Sequence, residues 1–290
     1  MRRFIPLFIL AITAILGLSS CVESKKTEKD VITVSIEPIK GLLEEITGDD
    51  FEINTLLPIG SAPESYSPTM QQIARLEESQ LVFYIGTLPF ENELISRANN
   101  KHYKRLSDDI ELIAGNCHHH HEDGSEHHHH TSDPHIWVSL DELSTMVDNI
   151  GEALRERYPD SLKYIANCQQ LKAKIQERKE SYKQMLITAP RNILIYHPAL
   201  GYLSKTLSLN QIALENEGKN PTPSSLAEVV EIVKSENIEV MFYQREYPID
   251  VVKPIADILN VNLVEINPLS EDIIGENDRI INIISGQYEQ

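Results

Sequence analysis

Short apolar runs alternate with amphipathic segments in both halves of the chain, and this alternation predicts the fold. Apolar runs bounded by proline, glycine or polar clusters predict buried strands at residues 31–36, 51–57, 81–85, 192–196, 211–214, 238–243 and 261–266. Apolar residues at helical spacing predict helices at residues 40–47, 69–79, 91–99, 199–207, 224–235, 249–259 and 276–288. Because strand and helix alternate, each half should form an α/β structure with a mainly parallel sheet flanked by helices.

Two longer helical patterns separate the halves. Residues 140–158 are amphipathic up to Pro159. Residues 160–187 contain no proline or glycine, and charged residues cover most of the predicted helix surface. This second pattern predicts one long helix that crosses between two lobes.

The pattern therefore predicts an N-terminal α/β lobe at residues 31–158, a linking helix at 159–188 and a C-terminal α/β lobe at 189–290. The two halves also share a weak repeat. In the first half, Ser-Pro-Thr at residues 67–69 is followed by a predicted helix and then by Leu-Val-Phe-Tyr. In the second half, Asn-Pro-Thr at residues 220–222 is followed by a predicted helix and then by Val-Met-Phe-Tyr. This repeat favours two lobes of related design.

Residues 1–20 have the composition of a bacterial signal peptide. Arg2 and Arg3 precede an apolar run at residues 4–18, and Leu-Ser-Ser-Cys at residues 18–21 resembles a lipobox. We expect cleavage before Cys21, a lipid on its thiol, a tether at residues 21–30 and a lipid-anchored protein in the periplasm of the cell envelope. The alternative is an uncleaved anchor, but the apolar run is shorter than the roughly 20 residues of a spanning helix.

Residues 117–132 form a predicted histidine-rich loop. Two runs of four histidines flank an acidic spacer with a glycine, which fits neither a helix face nor a strand. The histidines are His118, His119, His120, His121, His127, His128, His129 and His130. Neutral imidazole suits zinc, copper and nickel, so the loop is predicted to bind auxiliary transition-metal ions. A purification tag and a pH-responsive linker are the alternatives, although tags sit at termini and this tract is internal.

The formal net charge of −18 would become −20 after removal of residues 1–20. A surface this acidic disfavours nucleic acid and attracts cations, although solubility alone would be a sufficient reason for it. Apart from Cys21 the chain has Cys117 and Cys168, without the Cys-x-x-Cys spacing of a structural zinc site. These two could pair in an exported protein, and the sequence leaves their state open.

Four candidate metal ligands lie at or just after the ends of predicted strands or in the loops beyond them. They are Glu64, His135, His197 and Asn267. Ligands of open α/β sheets bind beyond the carboxyl ends of the strands, and these residues are far apart in sequence, so any site must be built between lobes. Two imidazoles and a carboxylate suit Zn²⁺, with Asn267 or water as the fourth ligand. Taken singly, each histidine could instead be a hydrogen-bonded loop residue and Glu64 a solvated one.

The order of motifs along nearly the whole mature chain resembles one protein family. The motifs are Leu-Pro at 57–58, Pro-Glu-Ser-Tyr-Ser-Pro at 63–68, the histidine-rich loop, Asp-Pro-His-Ile-Trp at 133–137, Tyr-His-Pro-Ala-Leu-Gly-Tyr at 196–202, Glu-Gly-Lys-Asn-Pro-Thr-Pro at 217–223 and Asn-Pro-Leu at 267–269. They resemble the periplasmic zinc-binding proteins of ABC uptake transporters (the ZnuA type). The resemblance implies two lobes joined by a rigid helix, a metal site in the cleft between them, and an ABC permease with its ATPase as partners.

By this resemblance His135 and His197 match metal ligands of the family, whereas two positions depart from it. The first-lobe ligand is usually a histidine where this chain has Glu64, and the acidic residue of the late turn is here Asn267. Both departures could shift selectivity towards Mn²⁺ or Fe²⁺. The histidine-rich loop favours Zn²⁺, because manganese-type relatives generally lack it.

We therefore expect a monomeric binding protein for Zn²⁺ and no catalysis. A manganese- or iron-binding relative and a surface metal scavenger without a transporter are the alternatives. A further alternative is a metallohydrolase that uses Glu64, His135 and His197. The chain lacks the His-Glu-x-x-His and Gly-x-Ser-x-Gly motifs that are typical of hydrolases.

Overall fold

The computed structural model of this protein describes residues 29–97, 102–115, 132–215 and 219–286. The signal peptide, Cys21 and nearly all of the tether lie outside these residues, as do Cys117 and the histidine runs at 118–121 and 127–130. What the sequence predicts for them stays a prediction.

A four-stranded parallel sheet forms the first lobe. Its elements are β1 (Val31–Val34), α1 (Glu37–Thr47), β2 (Glu52–Thr55), α2 (Met70–Glu77), β3 (Leu81–Tyr84), α3 (Pro89–Arg97) and β4 (Tyr103–Arg105). The strand order is β2-β1-β3-β4. Central strand β1 is buried from Ile32 to Val34, as expected for a parallel strand with both faces covered.

The second lobe has the same topology after two long helices. Its elements follow α4 (Leu140–Arg157) and α5 (Leu162–Met185), and they are β5 (Asn192–Ile195), α6 (Gly201–Leu207), β6 (Asn210–Ala213), α7 (Pro223–Ser235), β7 (Val240–Gln244), α8 (Ile249–Leu259), β8 (Asn262–Ile266) and α9 (Ile273–Ile284). The strand order is β6-β5-β7-β8, again parallel. The predicted fold class is confirmed.

The weak sequence repeat corresponds to equivalent helix starts. The side chain of Thr69 accepts a hydrogen bond from a backbone N–H in the first turn of α2, and Thr222 does the same for α7. Threonine at this position satisfies an N–H group that the helix itself leaves without a partner.

Helix α1, strand β4 and helix α9 differ from the sequence prediction, and α1 begins at Glu37, three residues before its predicted start. Strand β4 was not predicted, because Tyr-Lys-Arg has no apolar run; it forms because its backbone pairs with β3 at the sheet edge. Helix α9 begins at Ile273, three residues before the predicted start, because the Asp272 side chain accepts a hydrogen bond from the Gly275 N–H (2.9 Å).

Helix α5 contacts both lobes. Near its start, the Tyr164 hydroxyl donates a hydrogen bond to Asp50 of the first lobe (2.7 Å), and near its end Tyr182 donates to Asp278 of the second (2.8 Å). It spans 24 residues and is therefore shorter at both ends than the predicted pattern. In the part of the chain that the structure describes, no helix is both long and apolar enough to cross a bilayer.

One apolar core runs through both lobes. Trp137 is fully buried and donates from its indole Nε1 to the carbonyl oxygen of Pro268 (2.8 Å). The Tyr202 hydroxyl donates to the carbonyl oxygen of Asp133 (2.8 Å), and Asn277 Nδ2 donates to that of Val138 (3.0 Å). Residues 133–138 are thereby held against the second lobe, which places His135 at the boundary.

Candidate metal centre

Glu64 is presented by the loop between β2 and α2. The Tyr66 hydroxyl donates to Gln72 Oε1 (2.6 Å), and Gln72 Nε2 donates to the carbonyl oxygen of Leu56 (2.5 Å). These bonds hold the loop against the start of α2. Pro63 is buried, whereas the Glu64 side chain is 35 % exposed and reaches the boundary between the lobes.

His135 is buried and immediately precedes a short 3₁₀ turn at Ile136–Val138. Its backbone N–H and its Nδ1 both contact Asp133 Oδ1, at 2.9 and 2.8 Å. Because a carboxylate only accepts hydrogen bonds, Nδ1 is the donor. The other ring nitrogen, Nε2, lies 3.2 Å from Glu64 Oε1.

His197 follows β5 and is held in the same way by a different carboxylate. Its Nδ1 donates to Glu215 Oε2 (2.5 Å), and its carbonyl oxygen accepts a hydrogen bond from Gln244 Nε2 (2.7 Å). Among the residues that the structure describes, the buried Nε2 atom of His197 has no hydrogen-bond partner. The nearest carboxylate oxygen, Glu64 Oε1, lies 3.5 Å away.

Three predicted ligands therefore converge. Glu64, His135 and His197 each offer a ligand atom, and these atoms lie within 4.8 Å of one another. Two ligands bound to a tetrahedral Zn²⁺ at about 2.0–2.1 Å are about 3.3–3.4 Å apart. The contacts of 3.2 and 3.5 Å from Glu64 to the two imidazoles match this spacing.

The cavity at these residues is small. Its volume is about 20 Å³, which is room for a single ion or water molecule. The two-nitrogen, one-oxygen set suits a transition-metal ion.

The ligand side chains favour their charged forms in the metal-free protein. Burial lowers the pKa of His135, but hydrogen bonds to Asp133 and Glu64 outweigh it and raise the pKa to about 9. Burial likewise opposes protonation of His197, whereas Glu215 and Glu64 raise its pKa overall. Burial alone would raise the pKa of Glu64, but the hydrogen bond with His135 and the nearby imidazole of His197 lower it. A bound cation would replace these protons.

Asn267 lies near this cavity without lining it. It follows β8 as predicted, but it lines a neighbouring cavity together with Glu37 and Glu246. The next two residues, Pro268 and Leu269, are the ones that reach the cavity of the three ligands. The assignment of Asn267 as fourth ligand stays a prediction.

Sequence reasoning missed four polar residues at this site. Asp133 was noted only as part of its motif, and Glu215, Gln244 and Glu246 were not considered. Glu215 follows β6, and Gln244 and Glu246 lie at and after the end of β7. The rule about strand ends that identified His197 could therefore have identified all three.

Comparison with known proteins assigns the family. Residues 32–288 match the family model of ZnuA, described as the periplasmic component A of a zinc-uptake complex. The chain belongs to this family. The resemblance drawn from the motifs is thereby confirmed.

Relatives in this family carry names for two metals. The high-affinity zinc uptake system protein ZnuA of Bacillus subtilis is 26 % identical over 299 residues, covering 98 % of this chain and 94 % of that protein. The manganese-binding lipoprotein MntA of Halalkalibacterium halodurans is 24 % identical over 254 residues, covering 84 % of this chain and 82 % of MntA. The zinc-binding lipoprotein AdcA of Streptococcus pneumoniae is 25 % identical over 278 residues, covering 90 % of this chain but 54 % of AdcA, so the chain spans about half the length of that relative.

The fold agrees with a solved structure. A crystal structure of ZnuA has a TM-score of 0.79 and 26 % identity to this chain, covering 89 % of this chain and 98 % of that one.

Proposed function

We propose that this protein captures a transition-metal ion, Zn²⁺ in the first place, outside the inner membrane and delivers it to an ABC permease with its ATPase. The observation that supports this most directly is the convergence of Glu64 with His135 and His197. His197 Nε2 is buried without a hydrogen-bond partner in the described part of the chain, and a bound metal ion would give it one. Membership of the zinc-uptake family supports the transport role.

Asp133 and Glu215 would keep the two imidazoles ready for the metal. Each carboxylate accepts a hydrogen bond from Nδ1 of one histidine, so each Nε2 is left to face Glu64. Carboxylates in this position fix the tautomer and ring orientation of a metal-bound histidine and increase its basicity. These two residues would therefore raise affinity without touching the ion.

Mn²⁺ is the alternative ion, because Glu64 supplies a carboxylate oxygen where the family usually has a histidine nitrogen. Oxygen ligands suit Mn²⁺, whereas two imidazoles suit Zn²⁺. MntA, named for manganese, is also a relative of this chain. With two nitrogen ligands against one oxygen, Zn²⁺ is the better match.

We further propose that the exported protein is cleaved before Cys21, is anchored through a lipid on Cys21 and acts as a monomer without binding nucleic acid. Two of its relatives, AdcA and MntA, are named lipoproteins. In this arrangement residues 31–158 and 189–290 are the lobes, residues 159–188 link them, and the histidine-rich loop at residues 117–132 binds auxiliary ions.

Binding and uptake can be tested separately. The chelator-stripped mature protein should bind one Zn²⁺ tightly by calorimetry and prefer it to Mn²⁺ in competition, and replacing both His135 and His197 by alanine should abolish this. A strain that lacks the gene should take up less radioactive zinc from zinc-poor medium, and only the wild-type gene should restore uptake. Tight binding without any effect on uptake would identify a scavenger, and retention of the tight site in the double variant would overturn the proposal.

The lipid anchor has its own test. A Cys21→Ser protein should be released from membranes on fractionation of cells, because the lipid would be its only hydrophobic attachment. Retention of a processed Cys21→Ser protein at the membrane would show that the anchor lies elsewhere.

A further inference from the structure

We infer that Glu246, and not Asn267, is the fourth ligand of the metal ion, and that its carboxylate balances the charge of the ion together with Glu64. This inference rests on the proposed function, because it concerns the ion that Glu64, His135 and His197 would hold. It adds a residue to the coordination sphere and explains how this chain functions with Asn267 in the late turn.

The position of Glu246 supports this assignment. Glu246 lies two residues after the end of β7 and is half-buried. It lines the cavity of the three ligands and also the neighbouring cavity that Asn267 lines. Of these two residues, only Glu246 reaches the cavity where the ion would lie.

In the described part of the chain, the Glu246 carboxylate has no direct ion-pair or hydrogen-bond partner among the side chains. The adjacent Arg245 is exposed, and its guanidinium contacts Glu265 at 3.5 Å. Within the described residues no other side chain pairs with the Glu246 carboxylate, and the negatively charged Glu64 lines the same cavity. Once the two imidazoles are neutral, as metal binding requires, the Glu64 and Glu246 carboxylates repel each other, and a divalent cation between them would reverse this.

The chemistry of the ion requires one more ligand. Glu64, His135 and His197 fill three positions of a tetrahedral zinc site, and together they carry a single negative charge. Zn²⁺ and these three groups alone would carry one net positive charge, which Asp133 and Glu215 offset only from behind the imidazoles. An amide from Asn267 would leave the charge of the coordinating groups unchanged, whereas a second carboxylate balances it at the ion itself. A two-nitrogen, two-oxygen set would also make the site harder and admit Mn²⁺ more readily.

Binding would require a change at Glu246 itself. Its carboxylate is not part of the group of ligand atoms that lie within 4.8 Å of one another. Rotation of the flexible glutamate side chain would bring it in, while the two imidazoles stay fixed by Asp133 and Glu215. Closure of this site would then be a side-chain movement in the turn after β7.

Gln244 is the competing candidate, since it lines the same cavity and its buried Oε1 lacks a hydrogen-bond partner in the described residues. Its Nε2 donates to the carbonyl oxygen of His197 (2.7 Å), which fixes the amide, and an amide oxygen cannot neutralise the ion. The charge argument therefore favours Glu246.

The test compares four variants of the mature protein with the wild type: Glu246→Gln, Asn267→Ala, Gln244→Leu and Glu265→Gln. Zinc affinity is measured by competition with a chelator, and the ligand number is measured from the visible absorption of the Co²⁺-substituted protein. Glu265→Gln is the matched control, because it removes a carboxylate that contacts Arg245 and does not line the cavity. Unfolding of each metal-free variant is measured to confirm that it folds.

Glu246→Gln should weaken zinc binding at least about tenfold, since even the loss of an outer carboxylate costs roughly 10–100-fold in metal affinity. It should also change the Co²⁺ spectrum, because water would replace a protein ligand. Asn267→Ala and Glu265→Gln should leave both measurements unchanged.

The inference would be overturned if Glu246→Gln kept the zinc affinity and the Co²⁺ spectrum of the wild type. It would also be overturned if Asn267→Ala or Gln244→Leu, and not Glu246→Gln, changed the spectrum. Glu246→Asp keeps the carboxylate, so it should retain more affinity than Glu246→Gln; the reverse order would count against a ligand role. Failure of the proposed function is distinguishable, because the wild type itself would then show no tight binding, or binding that the double histidine variant retains.

Discussion

The imidazole rings of His135 and His197 lie 5.2 Å apart between centroids at an interplanar angle of 73°, one on each side of the boundary between the lobes. Asp133 holds the first ring through Nδ1 and Glu215 holds the second, so both Nε2 atoms face Glu64. The fold itself therefore assembles the candidate site, and each lobe contributes an imidazole together with the carboxylate that orients it.

Asp133→Asn and Glu215→Gln should each weaken zinc binding by roughly 10–100-fold, although neither residue would touch the ion. The amide oxygen can still accept a hydrogen bond from Nδ1, but it no longer increases the basicity of the ring. Calorimetry would give the affinity, and the Co²⁺ spectrum should stay that of the wild type because the ligands are unchanged. A changed spectrum would indicate direct coordination, and unchanged affinity would contradict the positioning role.

The metal-free protein should lose stability as the pH rises, because His135 has a raised pKa of about 9 in the folded state. The free histidine has a pKa of about 6.5, so the stabilisation is fully present below pH 6.5 and is lost as the pH rises through about 9. One proton corresponds to about 1.4 kcal/mol per pH unit, or roughly 3 kcal/mol over this window. Urea unfolding of the stripped protein at several pH values would measure the slope.

Zinc affinity should increase as the pH rises from about 6.5 to about 9, because the ion displaces the proton that His135 binds. A His135→Gln variant serves as the control, since it should lose most of the pH slope in unfolding while remaining folded. An unchanged slope in this variant would assign the proton to another group, such as His197, whose pKa is also raised by its carboxylate contacts.

Gly41→Ala should destabilise the protein, although alanine in a helix interior normally stabilises by about 0.5–1 kcal/mol relative to glycine. Gly41 lies in α1, where a Cβ atom would come within 1.9 Å of the carbonyl oxygen of Glu271 in the second lobe. We expect a loss of about 1–3 kcal/mol in the free energy of unfolding, as for overpacked cores. The measurement is urea unfolding of the metal-free mature protein.

Lys40→Gln is the control for this contact. It removes the ion pair between Lys40 Nζ and Glu271 Oε2 (2.6 Å) without adding volume. Since partly exposed ion pairs contribute about 0–1 kcal/mol, this variant should lose less stability than Gly41→Ala. A stabilising Gly41→Ala would show that α1 and the turn at Glu271 do not pack as closely as in this structure.

Deletion of residues 117–130 should abolish additional weak zinc sites and leave the tight site near its original affinity. Eight histidines in an acidic segment can bind ions, but if the segment is the loop that the sequence predicts, ordering it would cost conformational entropy that the cleft has already lost. The weak sites should also disappear below about pH 6, where free imidazole is protonated. Loss of the tight site in the deletion would show that the loop supplies ligands to it.

The sequence by itself determined the two parallel sheets, the long helix and three of the residues at the candidate metal centre. Local patterns suffice there, because apolar runs and helical periods identify strands and helices, and parallel strands bring the residues after their carboxyl ends to one edge. Glu64, His135 and His197 were found in this way, and the fold brings them together.

Only the tertiary structure decided which neighbouring side chains face those three. Asn267 and Glu246 both follow strands, yet Asn267 lines the adjacent cavity and Glu246 lines both. The direction of a side chain after a turn depends on how the lobes pack, for example through the hydrogen bond from Trp137 to Pro268 across the boundary. Contacts of this kind join residues far apart in the chain, and no local pattern of hydrophobic and polar positions contains them.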